Sequence, residues 1–372
     1  MCDLKLEKNS DSNISLKTSH QTFISELDIK KKLDKEILTT KETFIDMIEK
    51  TNPKFLENFE ILDFLNSGSN GFVYKGIYKI TNRHVAIKIR RKKPKKNDYK
   101  VIDNKDNKIN QEIIISEKLH NIKVIETFAN ININPYINIS ILEFGKNGDL
   151  NYFIKYLLHR KYMSETTLNY FSKQILEGLE YIHKCKIVHM DIKPGNIIID
   201  SSLCVKIADF GVSRSYENFE PNNIVRFPFV GTSKYMAPEI LRKDNLKVKY
   251  SEKIDMYSLG VTLYYLYFCD FPYKLSDIKD KEYDKIKENI NKEKLEFPPD
   301  RKISNLFKNF LEKILDKNYI HRMGIKEALN HPWIKANKAI MEEKENLGCL
   351  ENFLVKLITD NIRNFNNLIK LK

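Results

Sequence analysis

The sequence predicts a fold of the α+β class, with strands gathered in front of helices. Three observations carry that expectation. Short apolar runs of strand length, Phe59 to Leu65 and Tyr136 to Leu142, both lie in the first half of the chain. From Leu150 onward helical periods take over, most plainly in Thr167 to His183, where Leu168, Phe171, Ile175, Leu179 and Ile182 recur at helical spacing. A chain of 372 residues is also long enough for a two-lobed domain with extensions.

Composition narrows the class. With 42% hydrophobic and 30% charged residues the chain reads as soluble and globular rather than disordered. The longest apolar run, Leu259 to Cys269, is too short to span a bilayer, so no membrane insertion is expected. Met1 to Lys5 lacks the apolar core of a secretory signal. Five scattered cysteines (Cys2, Cys185, Cys204, Cys269, Cys349) show no paired spacing, which points to reduced thiols in the cytoplasm or nucleus. The net charge of +13 would permit a nucleic-acid partner, but its lysines are spread along the chain and no recognised nucleic-acid module accompanies them. Nucleic acid is therefore not an expected partner.

Residues 1–58 read as an N-terminal extension. Met1 to His20 is polar, and from Leu33 the apolar residues Ile37, Phe44, Ile45 and Ile48 trace a helix that ends before Pro53. That helix reads first as packed on the domain that follows, with partner recruitment as the alternative. After the first strand comes Asn66-Ser67-Gly68-Ser69-Asn70-Gly71, a glycine-rich turn that alone would suit an ordinary hairpin. Beyond Lys88 the run Arg90 to Lys96 reads as a basic loop, for which a solvated surface is the plain expectation and nuclear import the sharper one. A helix opening at Glu112 carries Ile113, Ile114 and Leu119.

The chemistry concentrates after the long helix. Apolar runs flank a polar loop from His189 to Asn196 that holds an acid (Asp191), a cation (Lys193) and a carboxamide (Asn196) within six positions. Phosphoryl transfer can use that set: a carboxylate for a hydroxyl proton, a lysine for phosphate charge, an amide oxygen for Mg²⁺. A strand-like run from Leu203 to Ala208 then delivers Asp209-Phe210-Gly211, a second hard oxygen ligand followed by a flexible residue. Either motif alone would fit a buried hairpin with a polar turn. Val212 to Val230 is polar and irregular, and Gly231-Thr232-Ser233-Lys234-Tyr235-Met236-Ala237-Pro238-Glu239 closes it. In the tail, Leu347, Leu350, Leu354, Leu357 and Ile358 fall on one helical face, read first as packing on the domain.

In this order the motifs resemble the eukaryotic protein-kinase superfamily, serine/threonine type, over residues 59–335. The resemblance implies a two-lobed fold: a small antiparallel β-sheet lobe (59–142), a hinge (143–149) and a larger, mainly helical lobe (150–335), followed by a helical tail (336–372). It implies transfer of the γ-phosphoryl group of Mg-ATP to protein hydroxyls. Asp191 would orient the hydroxyl and Lys193 steady the transferring group. Asn196 and Asp209 would hold metal. Lys88 would position the phosphates, braced by Glu112 or, as the fallback, Glu117. The nucleotide would be bordered by Asn66, Ser67, Gly68, Ser69, Gly71, Val73, Ala86, Lys88, Leu142, Glu143, Gly145, Asp149, Ile198 and Asp209.

Further family positions carry their own expectations. Asp255 would anchor the catalytic loop, and Arg322 would pair with Glu239. Asn66 stands where the family has its first glycine, explained by the tolerance of asparagine for positive φ. Ser116 stands where a large apolar side chain is usual, and Met190 where many members have the arginine that clamps an activation-segment phosphate. Those three departures suit the rival reading, a pseudokinase-type nucleotide-binding scaffold. Lys88, Asp191 and Asp209, which such scaffolds usually lose, are all present. The terminal helices are the expected place for any regulatory partner.

Overall fold

Alternation in the first strands sorts side chains into two faces, and a five-stranded antiparallel sheet results. The computed structural model describes residues 41–68, 71–91, 104–134, 137–153, 163–202, 204–216, 231–241 and 252–336. Ser69, the basic residues 92–96, Tyr136 and the tail helix expected over 347–358 lie outside the described residues. The chain divides into two units, one of residues 1–109 and 127–144, the other of residues 110–126 and 145–372.

In the first unit the helices α1 (Lys41–Thr51) and α2 (Pro53–Asn58) lead into β1 (Phe59–Gly68), β2 (Gly71–Tyr78) and β3 (Arg83–Arg91). The sheet order is β1-β2-β3-β5-β4, with β4 (Thr127–Asn134) and β5 (Ile137–Glu143) completing it. Tyr74 pairs with Ile87 and Ile87 with Ile141, so these three share one face. That face is apolar and buried, and Phe44, Ile48 and Phe55 join its core. Phe44 meets Phe72 edge-on with ring centroids 5.4 Å apart. The helix read from Phe44, Ile45 and Ile48 is thus packed on the sheet. Ile48→Val should cost about 0.5–1.5 kcal/mol. The same change at Ile80, which is 70% exposed, should stay within about 0.5 kcal/mol. Equal shifts of the urea midpoint would mean that α1 does not bury Ile48 in solution.

The opposite face is polar. Arg90, only 3% exposed, donates from Nη1 to Asn138 Oδ1 (3.2 Å) and Ser140 Oγ (2.6 Å). Asn138 donates in turn to Asn132 Oδ1 (3.2 Å), and Ser140 to Asn130. This corrects the basic-loop expectation at its first two residues, Arg90 and Arg91, which both pair in β3 with β5. Arg90 belongs to β3 because β5 offers its guanidinium buried acceptors, and a satisfied buried cation of this kind stays in the sheet.

In the second unit, α4 (Glu165–Lys184) starts at Ser164, whose hydroxyl accepts from Thr167 N at 3.1 Å. Its residues Leu168, Phe171, Ile175, Leu179 and Ile182 are fully buried, as the helical period requires. Helix α5 (Lys253–Phe268) is apolar almost all round and buried accordingly. Helix α6 (Tyr283–Lys292) follows it in the chain, α7 (Asn305–Ile314) packs on it, and α8 (Ile325–Asn330) and α9 (Pro332–Lys335) pack on α4. Helix α3 (Asn104–Lys118) begins eight residues before Glu112, so Glu112 sits well inside it rather than opening it.

Candidate active site

The polar loop after α4 is held between two short strand pairs. Ile187–Val188 (β6) pairs with Arg214–Ser215 (β9), and Ile197–Ile199 (β7) with Val205–Ile207 (β8). The buried carboxylate of Asp255, in the first turn of α5, fixes the start of the loop. Its Oδ2 accepts from His189 N (2.8 Å) and its Oδ1 from Met190 N (2.7 Å), while His183 Nε2 lies 2.8 Å from Oδ2. Burial alone would raise this carboxyl, but the bonds and charge from His183 and His189 outweigh it and hold the pKa below the usual range. Asp255 therefore stays ionised inside the protein and anchors the loop through two backbone N–H groups. Met190 is buried with φ of 69°, a left-handed backbone that the anchor imposes on it.

Asp191 is the point of convergence. Its Oδ2 accepts from Lys193 Nζ (2.6 Å) and Asn196 Nδ2 (2.9 Å), and its Oδ1 from Thr232 N (2.9 Å). Lys193 Nζ donates also to Thr232 Oγ1 at 2.7 Å. A carboxylate has about four acceptor sites. Three are filled, which leaves about one for the hydroxyl of a substrate. Asn196 Nδ2 donates to Asp191 on both its backbone O (2.7 Å) and its carboxylate, so the amide's oxygen faces away as an acceptor.

Asp209 follows Ala208, whose N–H donates to Asn196 O at 2.9 Å and whose carbonyl lies 3.0 Å from His189 Nε2. Those bonds tie the second motif to the first. Asp209 is exposed, with φ of 66°, and Phe210 is buried with its ring 5.1 Å from that of His189. Asn196 and Asp209 suit Mg²⁺, which takes one or two protein oxygens and completes its shell with water and phosphate. Among the described residues no group of three or more His, Cys, Asp or Glu forms a site that would compete.

The remaining expected nucleotide residues of the second unit pack on one another. A Cβ on Gly145 would lie 1.9 Å from Cγ2 of Ile198, so only glycine permits that approach. Asp149 forms a β-bridge with Ile198, and its Oδ1 accepts from Tyr152 N at 2.8 Å, capping the turn Leu150–Tyr152. Burial raises its carboxyl against the lowering pull of the Tyr152 and Asn151 N–H groups. Glu112 is buried and Glu117 exposed. Ser116 donates to Ile113 O at 2.9 Å, while Ile115 and Leu119 enter the core that holds Phe210.

In the first unit the register puts Val73 opposite Lys88 and Ala86 opposite Leu142, all on the polar face of the sheet, with Glu143 ending β5. Lys88 is buried. Gly68 pairs with Gly71, which has φ of 147°. A Cβ on Gly71 would lie 2.0 Å from Ile89 O, so no side chain fits there. Asn66 remains in β1 opposite Val73 and has no positive φ; its Oδ1 accepts from Ser67 N at 2.8 Å. The expected reason for that asparagine is therefore corrected: it braces the strand end by hydrogen bonding.

Two functional contacts had no sequence signal. Tyr216 donates from its hydroxyl to His183 O (3.0 Å) and its N–H to Lys186 O (2.9 Å), tying the segment after Gly211 to the end of α4. Burial first, then Glu252, pushes the Tyr216 hydroxyl up to about 12. The other contact binds Ser233 to Asp280, 47 positions away. At the far end, Arg322 Nη1 and Nη2 meet Glu239 Oε1 (2.6 Å) and Oε2 (2.9 Å), the expected pair.

Comparison with known proteins agrees with this constellation. A family model described as "Protein kinase domain" matches residues 59–334. The serine/threonine-protein kinase TIO of Arabidopsis thaliana is 30% identical over 290 residues, covering 78% of this chain and 20% of TIO. Calcium-dependent protein kinase 4 of Plasmodium falciparum is 30% identical over 329 residues, 87% of this chain and 57% of its own length. The serine/threonine-protein kinase ssp1 of Schizosaccharomyces pombe is 31% identical over 288 residues, 75% of this chain and 43% of ssp1. The chain thus spans between a fifth and three fifths of the length of these relatives.

Proposed function

The chain belongs to the protein kinase family, and on that premise we propose that it transfers the γ-phosphoryl group of Mg-ATP to serine or threonine hydroxyls of protein substrates. The observation that carries this reading is the Asp191 carboxylate, held by Lys193, Asn196 and Thr232 with about one acceptor site left over. Asp191 orients the substrate hydroxyl and accepts its proton. Lys193, 2.6 Å from that carboxylate, places a cation beside the acceptor, where negative charge gathers on the transferring group. Asn196 and Asp209 would hold Mg²⁺, which neutralises phosphate charge when bound. Lys88 is assigned to the α- and β-phosphates, with Glu112 assigned as its brace; each side chain is buried within its own unit. Catalysis by such a site is mostly positioning and electrostatics.

The test is label transfer from γ-labelled ATP to a degenerate serine, threonine and tyrosine peptide mixture, with and without Mg²⁺. Label on serine or threonine that requires Mg²⁺ supports the reading. Nucleotide binding with no transfer to any peptide would favour the scaffold. We also assign the activity to a reducing compartment, the cytoplasm or nucleus, in keeping with free thiols at Cys185, Cys204 and Cys269.

Regulation follows from Met190. Methionine cannot clamp a phosphate, and Tyr216 already fastens the start of the segment through His183 O. Ser213 is buried, with its hydroxyl donating to His189 O at 3.0 Å. Activity is therefore expected to depend little on phosphorylation of residues 209–239. Phosphatase treatment, with mass spectrometry to confirm removal, should leave the rate within about tenfold, or 1.4 kcal/mol of barrier.

A further inference from the structure

We propose that Asp280, in the loop between α5 and α6, is a positioning residue for phosphoryl transfer, acting through Ser233 on Thr232 and Asp191. The inference rests on the kinase reading above and adds a residue to the same site. Ser233 is 0% exposed, and both its N–H (3.0 Å) and its hydroxyl donate to Asp280 Oδ1. Its Oγ also accepts from Lys281 N at 2.9 Å. All three bonds come from residues 47 and 48 positions away, so they are not the local turn bonds that aspartate usually makes.

The neighbouring residue is what gives the contact its meaning. Thr232 N–H donates to Asp191 Oδ1, and Thr232 Oγ1 receives Lys193 Nζ. The chain of bonds therefore runs Asp280, Ser233, Thr232, Asp191. Two residues beyond Ser233, Tyr235 is pinned through its carbonyl by the Ser258 hydroxyl at 2.9 Å. The stretch 232–235 is held at Asp191, Asp280 and Ser258, and of these Asp280 comes from the loop between two helices.

That loop is strained in a way that serves the contact. Lys281 has φ of 71°, a left-handed backbone that a non-glycine residue adopts only where its surroundings hold it there. In that conformation its N–H reaches Ser233 Oγ. With the Asp280 carboxylate removed, a buried serine loses the acceptor of both its N–H and its hydroxyl, and the Lys281 N–H bond alone ties this loop to it. The Thr232 end of Asp191 is then free to drift. Displacement of about 1 Å in a positioned group can cost up to about a hundredfold in rate.

Asp280 is itself exposed, so Asp280→Ala should fold. The experiment measures kcat and both KM values for wild type, Asp280→Ala, Asp280→Asn and Ser233→Ala on one degenerate serine/threonine peptide mixture, with melting curves alongside. Asp280→Ala should lose about tenfold or more in kcat, with KM for ATP within twofold. Asp280→Asn keeps an oxygen that accepts both bonds and should recover to within about threefold of wild type. Ser233→Ala should fall between the two. Wild-type rates in Asp280→Ala overturn the proposal while leaving the kinase reading intact. So does an Asp280→Asn variant as slow as the alanine, because the acceptor oxygen would then not be what matters. An inactive wild type would instead overturn the kinase reading.

Discussion

Asp191→Asn is expected to lower phosphoryl transfer by about 10²–10⁴-fold, the range that a positioned general base contributes. Nucleotide binding should be nearly unchanged. The local geometry explains both halves. Every group that touches the Asp191 carboxylate is a donor: Lys193 Nζ and Asn196 Nδ2 on one oxygen, Thr232 N on the other. Asparagine has one oxygen, which the two donors at Oδ2 will claim. Its NH₂ must then face the Thr232 N–H, donor against donor, and the site left over for a substrate hydroxyl has lost its proton acceptor. None of the residues assigned to the α- and β-phosphates or to adenine is altered. The measurement pairs a single-turnover transfer assay with an ATP titration. A fall of less than tenfold, with binding intact, would falsify the role given to Asp191. Loss of nucleotide binding would show instead that the substitution disturbs the loop.

Much of this site could be read from the sequence because its chemistry is local. Asp191, Lys193 and Asn196 lie within six positions between apolar runs that read as strands, so the three groups are neighbours before Asp255 and Thr232, far along the chain, fix their positions. Long helices were equally plain, since α4 buries one full stripe at helical spacing. What failed to show was set by partners far along the chain. Arg90 looked like the first residue of a basic loop, yet its acceptors Asn138 and Ser140 lie on a strand 48 and 50 positions away. The start of α3 was hidden because Asn104 to Lys108 is a polar run with weak helix propensity, and its helical state owes nothing to an apolar period. Asn66 was explained by backbone tolerance, whereas the structure uses its side-chain oxygen. His183, Tyr216 and Asp280 carry no signal of their own. Their roles exist only once Asp255, the end of α4 and Ser233 are in place around them.

Arg322→Ala is expected to be among the most destabilising single changes in the second unit. The guanidinium is fully buried and meets Glu239 with two parallel bonds of 2.6 and 2.9 Å. It also donates from Nε to Asp316 O (2.8 Å) and from Nη1 to Lys253 O (3.0 Å), and it lies 4.9 Å from the Tyr257 ring centroid. Glu239 ends the 231–239 stretch, Lys253 opens α5, and Asp316 follows α7, so one side chain joins three elements. Alanine would strand a buried carboxylate and take the side-chain donors from the Asp316 and Lys253 carbonyls. Breaking a buried pair from one side costs about 3–5 kcal/mol, which for a unit of this size corresponds to a fall in Tm of roughly 6–20 °C. Lysine should rescue little, because a point charge cannot reproduce the fork that reaches Glu239, Asp316 and Lys253 together. The double variant Glu239→Leu with Arg322→Met removes both charges and should recover part of the loss, since the carboxylate is then no longer left without its partner. Melting curves for the three variants separate these effects. An alanine variant that melts within about 2 °C of wild type would mean that the pair does not hold the end of the segment to the helices.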